Sequence, residues 1–122
     1  MKSFFAERVK RRDQRCQICQ SNKNLRAHHL YGAKAYPQFA NNVDNGVTLC
    51  EKHHLEFHRR YKGNTTGFDF LEWLYERHQK DGCGRSRKLL VQLFGRVMSL
   101  HRQLNQTNGS YPWKQVIRPA SK

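Results

Sequence analysis

Residues 16–58 read CQICQSNKNLRAHHLYGAKAYPQFANNVDNGVTLCEKHHLEFH, and both ends of this segment carry metal-ligand types at metal-ligand spacing. Two residues separate Cys16 from Cys19 at its start, and two separate Cys50 from His53 near its end. Two intervening residues let both donors of a pair turn towards one ion in a tight loop, and two such pairs complete a closed structural zinc site. His54 directly follows His53, and a short helix presents either. The fourth ligand therefore stays open between them, with His53 keeping the two-residue interval. Cys83 is the odd cysteine and reads as a half-buried thiol.

Between the two pairs, residues 21–24 form a polar turn and residues 25–30 a short strand. Alternation places Leu25, Ala27 and His29 on one face and Arg26, His28 and Leu30 on the other. Residues 31–45, with Gly32 and Pro37, make a long irregular excursion, which in so small a domain points to function or to a metal-held loop. Residues 47–49 read as a second strand, entered from the Asn45-Gly46 turn. A helix follows from Glu51 to about Tyr61. Its acidic start and its basic end at Arg59 and Arg60 suit the helix dipole, and Leu55 and Phe57 supply apolar packing. Strand, loop, strand, helix is the expected core of a small α+β fold.

Working outward, four segments emerge: a basic N-terminal helix over 1–15, the core over 16–61, a two-helix extension over 62–107, and a basic tail over 108–122. The first has Phe4, Phe5 and Val9 on one side and Lys10, Arg11, Arg12 and Arg15 as its basic end. In the extension, KGNTTG breaks the chain before a helix over 68–80 with Phe70, Leu71, Leu74 and Tyr75 at helical spacing. A longer helix over 86–106 repeats Leu90, Leu93, Val97, Leu100 and Leu104. That stripe either docks within the chain or forms a seam between two copies, so monomer and homodimer both stay open. No acidic residue follows Asp81, while Arg85, Arg87 and Lys88 open a series of cations.

The formal charge of +14 on 122 residues calls for a polyanionic partner, because lysine and arginine set against phosphates release condensed counterions. An anionic membrane is the competitor, but no lipidation motif, bilayer-length apolar run or signal-peptide core is present. The expectation is nucleic acid and no membrane. Cysteines arranged for zinc rather than for disulfides argue for a reducing, cytoplasmic setting.

His28, His29, Asn45, His54 and His58 are not needed for a Cys3His zinc site. Each alone is more often a packed or surface residue; their concentration in one small core suggests chemistry. Phosphodiester hydrolysis needs a deprotonated water, neutralised charge on the pentavalent phosphate and a stabilised leaving oxygen. Histidine suits the first task, and one divalent ion at the scissile phosphate suits the other two. Opposed side chains on a strand favour a division of labour between His28 and His29, one for a metal and one for a proton.

The pieces CQIC, LRAHHL, DNGVTLC and EKHHLEFH together resemble the HNH nuclease family, whose core is the zinc-supported ββα-metal (His-Me finger) fold. The segment from Phe57 to Thr65 and the helix after it resemble the free-standing enzymes of bacteriophages, homing endonucleases among them. The resemblance runs from about Arg15 to Tyr75. It implies a metal-dependent DNA endonuclease in a phage-infected host cytoplasm, with double-stranded DNA as partner, structural Zn2+ and catalytic Mg2+ or Mn2+. By it, His29 resembles the general base, His28 and His54 the ligands of the catalytic ion, and His58 a secondary candidate. Asn45 resembles the central Asn that orients the base or approaches the metal, with Asn42 the lesser alternative. His53 stands where relatives carry a second cysteine. Phosphate contacts are expected from Lys10, Arg11, Arg12, Arg15, Arg59, Arg60, Arg85, Arg87 and Lys88. The competing reading is a non-catalytic zinc-finger-type nucleic-acid-binding protein, which leaves His28, His29, Asn45 and His54 without a task.

Overall fold

A two-stranded antiparallel sheet lies at the centre: β1 (Leu25–His29) pairs with β2 (Gly46–Cys50), setting His28 opposite Val47 and His29 opposite Gly46. The structure, a computed structural model, describes residues 4–81 and 84–106. The expected tail over 108–122 and Cys83 lie outside the described residues. Helix α1 (Phe5–Asp13) precedes the sheet, α2 (Glu51–Arg60) follows β2 directly, and α3 (Gly67–Asp81) and α4 (Gly84–Gln106) complete the chain. Two single-turn 3-10 segments, Pro37–Phe39 and Val43–Asn45, shape the loop between the strands. The fold is a ββα-metal core flanked by basic helices.

The period of two along each strand divides the sheet between two sets of helices. His28 faces Phe57 of α2 and Phe70 of α3, with ring centroids 4.7 and 5.2 Å away. His29 and Gly46 face α1, where Phe5 and Val9, one helical turn apart, are both buried. Gly46 is required by this packing, because a Cβ there would stand 2.4 Å from Val9 Cγ2 and 2.8 Å from Phe5 Cζ. The far edge of β2 is closed by the end of α1 and the knuckle. Thr48 N–H donates to Asp13 Oδ2 (2.9 Å), and Gln17 N–H donates to the Thr48 carbonyl (3.0 Å).

Burial corrects several sequence expectations. Phe5 and Val9 pack while Phe4 is exposed, since only the residues one turn apart meet the sheet. Phe57 is buried but Leu55, on the outer side of α2, is not. In α3 the covered side comprises Phe70, Leu71, Trp73 and Leu74, and Tyr75 faces outward. α3 lies between α2 and α4, which widens its buried arc towards Trp73. In α4 the stripe begins at Leu89 rather than Leu90 and continues through Leu93, Val97, Leu100 and Leu104, all buried within the chain. Leu90 is only partly buried. No helix among the described residues is long and apolar enough to cross a membrane.

Candidate metal centres and active site

The knuckle turns where its backbone permits. Gln14 ends α1 in the left-handed region (φ 65°), and Gln20 does the same after Cys19 (φ 67°). Cys16 N–H donates to the Ser21 carbonyl and Gln20 N–H to the Cys16 carbonyl, each at 2.8 Å, which closes the loop around the two sulfurs. Cys50 sits at the N-cap position of α2, so His53, in the first turn, points back at the same place.

Cys16, Cys19, Cys50 and His53 bring their ligand atoms within 4.8 Å of one another. Cys19 Sγ lies 3.8 Å from Cys50 Sγ, and His53 Nδ1 lies 3.2 Å from Cys50 Sγ and 3.8 Å from Cys16 Sγ. A tetrahedron with zinc–sulfur bonds of about 2.3 Å has sulfur–sulfur edges of about 3.8 Å, which the Cys19–Cys50 edge matches. Burial raises the Cys16 thiol pKa, and a cation held by the thiolate offsets that cost. The set is a Cys3His structural zinc centre, with His53 as the nitrogen donor. Arg77 Nη1 donates to Glu56 Oε2 (2.6 Å), and its Nη2 lies 3.5 Å from His53 Nε2, covering the outer edge of that ring. The sequence offers no signal for Arg77, because it comes from α3.

His54 lies on a different side of α2 from His53 and belongs to a second cluster. His28, His54 and His58 bring one nitrogen each within 4.8 Å of one another. His54 Nε2 and His58 Nε2 are 3.2 Å apart, one helical turn separating their residues. His28 Nε2 is buried and has no hydrogen-bond partner. Burial, followed by the nearby His54 and His58, holds the His28 pKa well below its usual range. His54 is pushed down to about 4 by burial, then by His58 and Arg26, and His58 is lowered by burial. Three neutral imidazoles that converge, one with an orphaned buried nitrogen, are a donor set suited to a divalent ion. They line a cleft of about 300 Å³ together with His29, Gly32 and Thr65.

His29 reaches that cleft from the opposite face of β1. Its ring lies flat on Phe5, with centroids 4.2 Å apart and planes inclined by 3°. Its Nε2 is 2.9 Å from the Ala40 carbonyl, an acceptor only, so Nε2 carries a proton and in the neutral ring the lone pair is on Nδ1. Asn45 is fully buried and does not join the histidines. Its side chain clasps the loop instead: Tyr31 N–H donates to Oδ1 (2.8 Å), and Nδ2 donates to the carbonyls of Tyr31 (2.9 Å) and Phe39 (3.3 Å). Asn42 caps the Val43–Asn45 turn through Oδ1.

The basic residues divide. Arg12 is engaged by Asp13 and by the carbonyls of Val43 and Gly46, and Arg60 by Glu76. Arg15 donates to the Gln20 carbonyl at 3.3 Å. Arg11, Arg59, Arg85, Arg87 and Lys88 are exposed. Lys10 lines an open groove of about 530 Å³ with Asn24, Arg26 and Glu51, the last two paired at 3.8 Å, and this groove meets the histidine cleft at Ala27 and His54. Comparison of the chain with family models, with curated proteins and with solved structures finds no match.

Proposed function

We propose that the protein is a metal-dependent DNA endonuclease of the HNH type, hydrolysing phosphodiester bonds with His29 as general base. The observation that carries this reading is the cleft shared by a converging triad of neutral histidines and a fourth histidine fixed with Nδ1 free. His28, His54 and His58 would hold the ion. When bound, that ion supplies positive charge to the scissile phosphate and the leaving 3′-oxygen. His29 Nδ1 takes a proton from the attacking water, and the Ala40 carbonyl continues to hold Nε2–H of the imidazolium that results. Asn45 maintains the loop that brings Ala40 to His29 and makes no contact with the reacting atoms.

Of the two ions expected from the resemblance, the three nitrogen donors favour Mn2+, because Mg2+ binds through oxygen ligands and gives up its waters reluctantly. The substrate is duplex DNA. Its backbone follows the groove between α1 and β1, past Lys10 and Arg26, to the cleft. A purely binding zinc module accounts for the charge and the Cys3His cage, but gives no task to the unpartnered His28 Nε2.

The test is a plasmid-cleavage time course with Mn2+, comparing the parent with His29→Ala. His29→Ala should lose a factor on the order of 10² to 10⁴ in rate while retaining zinc and DNA affinity. A parent that cleaves with no divalent ion supplied, or a His29→Ala that cleaves at the parental rate, sinks the reading.

A further inference from the structure

The Gly46 carbonyl is held by two guanidinium groups from opposite ends of the chain. Arg12 Nη2 of α1 donates to it at 2.7 Å and Arg96 Nη1 of α4 at 2.9 Å. Arg12 also donates to the Val43 carbonyl (2.9 Å) and is braced by Asp13, so it alone would satisfy the turn. Arg96 adds a second cation beside it, half-buried, where burial and the Arg12 charge both oppose it and Asp13 and Asp44 offset them. An arginine on an amphipathic helix ordinarily carries its charge out to water. Here it is brought inward onto one peptide group.

That peptide group is the junction of the candidate site. Gly46 lies opposite His29 in the sheet, and Leu30 N–H donates to the carbonyl of the preceding residue, Asn45 (2.8 Å). Asn45 suspends the loop at Tyr31 and Phe39, and the next residue, Ala40, carries the carbonyl that fixes His29 Nε2. We propose that Arg96 is a positioning residue: by pinning the Gly46 carbonyl from α4 it locks the Asn45 clasp and so sets the orientation of the His29 ring. The α3–α4 extension thereby belongs to the working site rather than being only a DNA-binding appendage. The kinetic consequence of this inference rests on the nuclease reading; its structural consequence does not.

Arg96→Gln and Arg96→Lys in the full chain test it, the lysine retaining charge and one donor. The first readout is nitrogen NMR of the His29 tautomer, with exchange protection of the Asn45 side-chain amide. In Arg96→Gln the Nε2–H tautomer should give way to a mixture and Asn45 protection should fall, both recovering in part in Arg96→Lys. The second readout is cleavage of a duplex with Mn2+. For Arg96→Gln, kcat should fall about 10- to 100-fold, the scale of a small misplacement of a reacting group, with KM and DNA affinity unchanged. An unchanged tautomer and unchanged Asn45 protection overturn the proposal, whatever cleavage does. So does a rise in KM at parental kcat, which marks a phosphate contact, or loss of zinc and helix content in both variants, which marks a folding residue. If the NMR signals respond as expected but the parent cleaves no DNA, the coupling stands and the nuclease reading fails.

Discussion

The imidazole of His29 lies on the ring of Phe5 with an angle of 3° between their planes, so the first helix of the chain supports the candidate general base. The contact is made possible by Gly46 beside it, which leaves room for α1 to approach the sheet. Phe5→Leu keeps an apolar filling but removes the flat support, and should cost less than about 1.5 kcal/mol of stability. Cleavage should nevertheless fall by roughly tenfold, through kcat, because ring orientation is lost. Denaturant midpoints and steady-state kinetics on one DNA duplex check this. A variant with parental kcat would show that the Ala40 carbonyl suffices to orient His29.

Zinc should remain with the protein at about one ion per chain after dialysis, since the fold gathers the four Cys3His ligand atoms within 4.8 Å of one another. Cys16→Ala or Cys50→Ala should abolish cooperative unfolding, as zinc binding supplies folding free energy in a domain this small. Elemental analysis paired with circular dichroism decides it. Folded parent protein free of zinc would refute the assignment.

A second, weaker metal site should be detectable by titrating Co2+ into zinc-filled protein and following visible absorption. His28→Ala should remove the new band, and His58→Ala should weaken binding by more than the roughly 10- to 100-fold typical of an outer-shell partner. His53→Ala should instead disturb the zinc. If His28→Ala binds Co2+ like the parent, the three histidines do not form the site.

Acid should destabilise the protein through the same histidines. His54 titrates near 4 in the folded protein against an ordinary value of 6.5, so between these values the unfolded chain carries the additional proton. Stability therefore rises with pH across that window and is lost as pH falls from about 6.5 towards 4. His28, also lowered by burial, acts in the same direction. The denaturant midpoint of the parent should fall more steeply with acid than that of His54→Gln, a comparison that cancels the acid sensitivity of the zinc cage. Parallel curves would contradict the depressed value.

Asn45→Ala should destabilise the fold by about 2 to 4 kcal/mol, because Tyr31 N–H and two carbonyls lose their partner inside the loop. The loss should appear in equilibrium unfolding without added metal, separating this structural duty from any contact with a catalytic ion. A change below about 0.5 kcal/mol would mean that water replaces the amide, as it does at exposed sites.

Local chemistry made much of this architecture legible in the sequence. The two-residue intervals at Cys16-Cys19 and Cys50-His53 are short enough that the backbone alone brings each pair together. Strand alternation separates His28 from His29, and helical periodicity brings His54 beside His58. The choice between His53 and His54 as zinc donor needed the fold. Consecutive residues on a helix diverge by about 100°, and only the placement of α2 against the knuckle gives the first direction to sulfur and the second to His28. Leu89 displaced Leu90 for the same reason, since the sequence sets the period of α4 but α3 sets its phase. Phe5 on His29, Arg77 beside His53 and Arg96 on the Gly46 carbonyl left no mark in the sequence. Each joins residues far apart in the chain, and such contacts exist only after the apolar faces of the helices have been buried and have fixed which polar groups meet.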